Sequence, residues 1–384
     1  MATKKTKKQT TEEEVVTTTE PEVVDTTKVE IEEITPDRES ASSSEVIKLE
    51  DIDGVVSTDE PQTEETVEAP EAPDDGQGFP PYAYVSLLTS NDFMYCLVAM
   101  LHSYNAVSHG IPMVVMVTPD ITEENRTVIR AFGAQALEVP KIELPYDPTK
   151  VETYPCFEKL NMFRLQGPKK IVCVDADMIF LQNTDELFEA NPFACVFDAW
   201  VNNLNSGLMV IEPNEETYQK MMDIINTKFT EEGKTFWCEQ GVFNDLLPDW
   251  PTDESLHLDK IYNYQIKHFL DFKRPREFYS IPRDVKILHI SGHLPKPWVM
   301  GNTLSYYAYM GGYTYAAIME QYTELINGVI GELAEHGIYS NDLKLINLTL
   351  DHSVFGQAYP RRFIMQMPDE KTTETTTEEA KDGN

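Results

Sequence analysis

The chain has 384 residues and a formal net charge of −34. So acidic a chain repels a phosphate backbone, which excludes non-specific nucleic-acid binding as its role. It contains no run of about 18 apolar residues, so no membrane-spanning helix is expected, and no apolar segment follows the basic start to make a signal peptide.

Residues 1–78 hold 23 acids against 7 bases and few aromatics. Such a stretch buries too little apolar surface to offset the entropy of ordering it. Residues 368–384 repeat the composition, with 6 acids and 2 lysines. Both are expected to be disordered acidic tails. They flank a folded part, 79–300, and a helical extension, 301–367. The five cysteines (Cys96, Cys156, Cys173, Cys195 and Cys238) are odd in number and contain no CxxC pair. That argues against a disulfide framework or a zinc site, and for reduced thiols in a cytoplasmic protein.

Tyr84–Thr89 reads as a first strand, and Ser90-Asn91-Asp92 as the turn and cap of a helix running to about Asn105. A second buried strand covers Pro112–Val117. Ile121-Thr122-Glu123-Glu124 resembles a capping box and opens a short helix. Ala136–Val139 makes a third strand, and Cys156–Gln166 a helix that feeds a fourth strand at Ile171–Val174. Strands alternating with helices predict an α/β protein, its sheet mostly parallel and covered by helices on both faces. Beyond it, strands are expected at Ala194–Phe197, Gly207–Ile211 and Lys286–Ile290, and helices at Glu215–Phe229 and Glu239–Leu247. Ser305–Glu335 reads as a tyrosine-rich helix broken near Gly311-Gly312.

Asp175 and Asp177 stand where the apolar fourth strand ends. Side chains two apart on extended chain point the same way, so the two carboxylates converge. Held together, they need a cation, a shared proton or open water. Open α/β sheets bind ligands at that end of their strands. A hard divalent ion bridging the pair to a diphosphate is one reading; a solvated loop with two capping acids is the other. Four more segments carry polar groups suited to such a ligand. They are Leu88-Thr89-Ser90-Asn91-Asp92 at the first strand-to-helix turn, Asn205-Ser206-Gly207 before a buried strand, Glu239-Gln240-Gly241 at a helix start, and His289–Trp298 after the last strand.

In this order the segments resemble the glycogenin-like family of retaining glycosyltransferases, whose relatives include plant galactinol synthases. The resemblance runs from about Tyr82 to Trp298. It implies a GT-A, Rossmann-like fold, a UDP-sugar donor (UDP-glucose or a related UDP-hexose), Mn²⁺ with Mg²⁺ as the alternative, and a homodimer. Asp175, Asp177 and His289 would hold the metal, Asp175 also reaching the ribose, with Ala176 between the two acids. Leu87, Thr89 and Asn91 would seat the uridine, and Lys296 with the Gly292 backbone would clamp the diphosphate. Lys159 would lie near the donor sugar, and Asn205, Ser206 and Gln240 would position the hexose. Glu239 would stand beside the anomeric carbon, as an oxocarbenium stabiliser or a transient nucleophile. The acceptor would be a hydroxyl of a protein, a polyol or a glycan.

The chain departs from the family in places. Glycogenins carry aspartate where it has Glu239. The uracil-stacking aromatic falls at or beside Met94, so Phe93 or Tyr95 must substitute, and no arginine lies just upstream of Lys159. Two other functions fit part of the pattern. One is a HAD-type phosphatase with Asp175 as nucleophile, which leaves His289 and Lys296 without a role. The other is a non-catalytic nucleotide-sugar-binding or structural module.

Overall fold

The computed structural model describes residues 80–144, 156–198, 202–230, 238–269, 280–291, 296–300 and 304–348. The expected tails at 1–78 and 368–384, the end of the 301–367 extension and Gly292 lie outside these residues.

The chain enters as β1 (Tyr82–Leu88), α1 (Met94–Val107), β2 (Met113–Val117), α2 (Glu123–Ala131) and β3 (Gln135–Glu138). Ser90 accepts from the Asp92 N–H and caps the 3₁₀ turn Asn91–Phe93 that leads into α1, and Thr122 Oγ1 accepts from the Asn125 N–H at the start of α2. After a 3₁₀ segment at Phe157–Arg164 come β4 (Lys170–Val174), β5 (Met178–Phe180), β6 (Cys195–Asp198) and β7 (Asn203–Ile211). α3 (Glu215–Thr230), α4 (Glu239–Leu246), β8 (His257–Leu258), β9 (Tyr264–Gln265) and β10 (Ile287–His289) follow. The last described elements are α5 (Pro297–Met300) and α6 (Leu304–Glu335).

Seven strands form one sheet in the order β3-β2-β1-β4-β7-β6-β8. β3, β2, β1 and β4 run parallel, and β7 pairs antiparallel with β4 and with β6. Residues alternate between faces because strand side chains have a period of two. Tyr84, Val115, Val172 and Leu208 pack on one side with α1 and α2. Val85, Val114, Cys173 and Met209 pack on the other with α4 and the 3₁₀ segment. Both faces are covered, so the strands read as unbroken apolar runs.

β5, β10 and β9 make a second, three-stranded sheet. α6 covers it: Leu288 and Ile290 share a core with Tyr315, Met319 and Tyr322. The tyrosine-rich stretch is thus packed into a core where its side chains are described. Its expected break falls at Gly312, whose φ of 87° belongs to the left-handed region. No helix among the described residues is long and apolar enough to cross a membrane.

Two expectations need correction. The segment read as a helix over 156–166 winds as a 3₁₀ helix. Three residues per turn bring Phe157, Leu160 and Phe163 into one row, and all three pack in the core beneath the sheet. Asn205-Ser206-Gly207 lies inside β7, not ahead of it. The β6–β7 register slips between Cys195 and Val196, which pair with Met209 and Asn205. Residues 206–208 face that bulge with no partner on β6, the kind of local irregularity that re-aims side chains at a site.

Candidate active site

β1 is followed in sequence by its neighbour on one side, while β4 lies on the other, so the strand order reverses between them. That switch point is where open α/β sheets leave a crevice. A cleft of about 360 Å³ opens there. Leu87, Thr89 and Phe93 line it from the β1 end, Asp175, Ala176 and Asp177 from the β4 end, and Asn205, Ser206 and Gly207 from β7. Lys159, Cys156, Cys238, Glu239 and Gln240 complete it.

Asp175 and Asp177 converge, though not because the strand stays extended. β4 ends at Val174, and residues 176–177 form a turn between the two sheets. The Asp175 N–H still donates to the Gly207 carbonyl of the large sheet at 2.8 Å. The Asp177 carbonyl already accepts from Ile290 of the small one at 2.9 Å. β10 pairs with β5 in the register His289↔Met178, which brings the imidazole beside the turn. His289 Nε2 lies 3.1 Å from Asp177 Oδ1 and 3.8 Å from Asp175 Oδ2.

A relay of amides fixes which ring nitrogen faces the acids. Lys267 Nζ donates to Asp198 Oδ2 at 2.6 Å, and Asn205 Nδ2 donates to the same oxygen at 3.2 Å. That turns Asn205 Oδ1 toward Asn263, whose Nδ2 donates to it at 2.7 Å. Asn263 Oδ1, 2.9 Å from His289 Nδ1, is then an acceptor, so Nδ1 carries a proton and Nε2 is the nitrogen left to face the acids, with a lone pair to offer a cation when the ring is neutral. Asn205 thereby serves the relay, and its side chain is committed within the protein. Asn263→Ala leaves Asn205 Oδ1 and His289 Nδ1 without this partner. It is expected to cost about 1–3 kcal/mol in a denaturant melt and to weaken divalent-cation binding on the order of 10- to 100-fold by calorimetry.

Gly207 is needed for close approach. A Cβ there would sit 2.7 Å from His289 Cε1 and 3.0 Å from Asp175 Oδ2. Gly207→Ala is therefore expected to destabilise the fold by about 1–3 kcal/mol. It should also spread the two acids from the imidazole, read as a weaker cation isotherm.

Lys159 is the hub of the other half of the site. Its Nζ, on a side chain only 4 % exposed, donates to Asp175 Oδ1 at 2.7 Å, the Ser206 carbonyl at 2.7 Å and Glu239 Oε1 at 3.3 Å. Burial alone would strip its proton, but the Asp175 and Glu239 carboxylates outweigh that and keep it an ammonium. Burial likewise acts to raise the Glu239 pKa, yet Lys159 and hydrogen bonds from Cys156 and Ser206 hold it below the usual range. Glu239 is thus a buried anion at the start of α4. Gln240 Oε1 accepts from the Ser206 N–H at 3.2 Å, which locks β7 to that helix. On the far side, Lys296 Nζ donates to Asp177 Oδ2 at 2.8 Å and to the Ile290 carbonyl. Lys296 and His289 overcome the burial of Asp177 and hold its pKa well below normal.

The residues suit a hard divalent cation. One imidazole nitrogen and two carboxylates offer donor atoms within 4.8 Å of one another, a mixed O/N set of the sort Mn²⁺ and Mg²⁺ accept. Asp175, 37 % exposed to the cleft, is the accessible ligand. Burial pushes the Asp175 pKa up, against the pull of Lys159; with Asp175 ionised and His289 neutral, three carboxylates (Asp175, Asp177, Glu239) stand against two ammoniums (Lys159, Lys296), leaving one negative charge in excess.

Residues 165–293, which carry both aspartates, Glu239 and His289, match the nucleotide-diphospho-sugar transferase family. A glycogenin-1 of Caenorhabditis elegans is 35 % identical over 144 residues, 37 % of this chain and 32 % of that protein. Part of the chain is thus similar to the glycogenin-like glycosyltransferases. Its fold is accordingly GT-A. Inositol phosphorylceramide glucuronosyltransferase 1 of Arabidopsis thaliana is 30 % identical over 172 residues, 44 % of this chain and 30 % of that one. The matched part of the chain covers about a third of these two relatives and up to 65 % of other glycogenins. Among solved structures, the glycosyltransferase GlyE of Streptococcus pneumoniae TIGR4 aligns with a TM-score of 0.45 at 18 % identity, covering 67 % of this chain and 64 % of that one.

On this GT-A framework not every expected residue reaches the cleft. Asn91 spends its amide on the Asp120 carbonyl, the Thr122 N–H and Asn125, tying α1 to α2. Met94 is fully buried, and Tyr95 stacks on Trp298 outside the cleft at 5.2 Å between ring centroids. Phe93, 47 % exposed at the cleft, is left as the aromatic surface. Asn263, Asp198 and Lys267 went unnoticed in the sequence, where nothing marks them; only the fold joins them to His289.

Proposed function

We propose that this chain transfers a hexose, glucose first, from a UDP-sugar to a hydroxyl acceptor with retention of configuration, using Mn²⁺ or Mg²⁺ at Asp175, Asp177 and His289. The observation carrying the reading is His289 Nε2, turned toward two carboxylates at 3.1 and 3.8 Å by the amide relay behind it. A lone pair aimed at anions is unfavourable unless a proton or a cation lies between them.

Adding a divalent ion to the single excess negative charge gives the site a net charge of +1, which attracts a diphosphate. The ion would offset charge on the departing UDP. Lys296, released from Asp177, would add an ammonium to the diphosphate. Phe93 offers the base a stacking face, and Leu87 and Thr89 flank it. Glu239 is anionic, fixed by Lys159 and Ser206, and suited to face positive charge growing at the anomeric carbon. A cytoplasmic location and a homodimer belong to the same proposal and rest on the sequence and the resemblance. The HAD-type reading is disfavoured by Lys159, whose salt bridge to Asp175 would blunt it as a nucleophile.

A screen of UDP-hexoses with Mn²⁺, followed by UDP release and intact mass, tests the proposal. Cation-dependent release with one donor preferred is the expected result. The absence of release from every UDP-sugar offered, with UDP still bound, would favour the binding module instead.

A further inference from the structure

The same cleft holds two thiols that the transfer chemistry leaves unused, and both lie beside Glu239. Cys156, at the entry to the 3₁₀ segment, and Cys238, the residue capping α4, are far apart in sequence yet line the cleft together. Their sulfurs and a Glu239 carboxylate oxygen all lie within 4.8 Å of one another. The Cys156 thiol is hydrogen-bonded to both Cys238 and Glu239. The other three cysteines, Cys96, Cys173 and Cys195, are buried in the core.

We propose that Cys156, Cys238 and Glu239 form a second cation site, selective for thiophilic divalent ions of the Zn²⁺ class. Two thiolates at about 2.3 Å from a tetrahedral zinc lie about 3.7 Å apart, so the donors need close by no more than about 1 Å. All three donor residues line the cleft, so water can complete the ion's shell. Charge is nearly balanced too. Two thiolates, Glu239, the Lys159 ammonium and one divalent ion sum to zero, and Asp175, which shares Lys159, adds one negative charge. Each thiol gives up its proton to solvent as the metal–sulfur bond forms. The hydrogen bond from Cys156 to Cys238 draws the Cys238 thiol down and pushes the Cys156 thiol up, so Cys156 holds the proton that an entering ion must displace. Ligand softness separates the two sites, since carboxylates with one imidazole suit Mn²⁺ and Mg²⁺, whereas thiolates take zinc or cadmium. Binding at the thiol site stands apart from the transfer reaction. Inhibition would follow only if Glu239 has the role proposed above, because the ion would draw that carboxylate from Lys159.

The test uses the full chain, reduced, with Mn²⁺ present. Cadmium titration should produce the ultraviolet thiolate-to-cadmium band, saturating at one equivalent. The band should persist in Asp177→Asn, weaken about tenfold or more in apparent affinity in Cys156→Ser, and vanish in Cys156→Ser/Cys238→Ser. In parallel, Zn²⁺ added to the unaltered protein should slow alkylation of Cys156 and Cys238, located by peptide mass. That arm requires no variant to fold. A band that survives the double substitution, a band lost in Asp177→Asn, or alkylation that zinc leaves unchanged would overturn the proposal.

Discussion

Asp177→Asn should nearly silence cation-dependent sugar transfer while leaving the protein folded. The change keeps the side chain's shape and removes one of the two charges facing His289 Nε2. It also leaves Lys296 beside a neutral amide in place of the carboxylate it meets at 2.8 Å. The cluster loses its excess negative charge, so the electrostatic reason to hold a divalent ion disappears. Mn²⁺ affinity should fall on the order of 100-fold, and UDP release at limiting Mn²⁺ by about 10³-fold, which is about 4 kcal/mol of barrier. Calorimetric Mn²⁺ binding and a UDP-release assay check both numbers, with a thermal melt as control. Turnover within a few-fold of the unaltered chain would remove the metal from the mechanism.

Glu239→Gln should separate binding from chemistry. Glutamine can still accept from Ser206, and Lys159 retains Asp175 and the Ser206 carbonyl as partners, so the local fold survives. What is lost is a buried anion facing the cleft. Removing a preorganised charge of this kind costs about 10²–10³ in kcat, and the loss would be larger if Glu239 also forms a bond to the sugar. UDP affinity should stay within a few-fold, because no observed contact of Glu239 faces the diphosphate end. Full activity in this variant would assign Glu239 to structure alone.

Much of this was legible in the residues themselves. β1, β2 and β4 are apolar runs bounded by caps and turns, and a strand covered on both faces can look no other way. The pairing of Asp175 with Asp177 also stood out, although its cause did not. The sequence suggested an extended chain, whereas the acids meet across a turn that passes from one sheet to the other. So short a stretch cannot tell a period of 3.0 from 3.6, which is why Cys156–Gln166 read as an ordinary helix where Phe157–Arg164 winds as a 3₁₀ helix. Asn205-Ser206-Gly207 looked like a lead-in because polar residues rarely occupy a central strand, and only the bulge on β6 makes room for them. Asn263 gave no signal at all. Its importance comes from three segments meeting, a fact about tertiary structure that no local pattern encodes.

The turn at Ala176-Asp177 is a seam, with one acid stitched to the large sheet and the imidazole borne by the small one. A slip of an ångström between the layers would open the gap between Asp175 and His289 before it disturbed either layer internally. Alignment of the donor atoms therefore depends on what anchors the small layer, and that anchor is the packing of Leu288 and Ile290 on Tyr315 and Tyr322 of α6. A long helix that lends none of its described residues to the cleft lining thus acts as its keel, and trimming those buried tyrosines would be felt first as a looser grip on the ion.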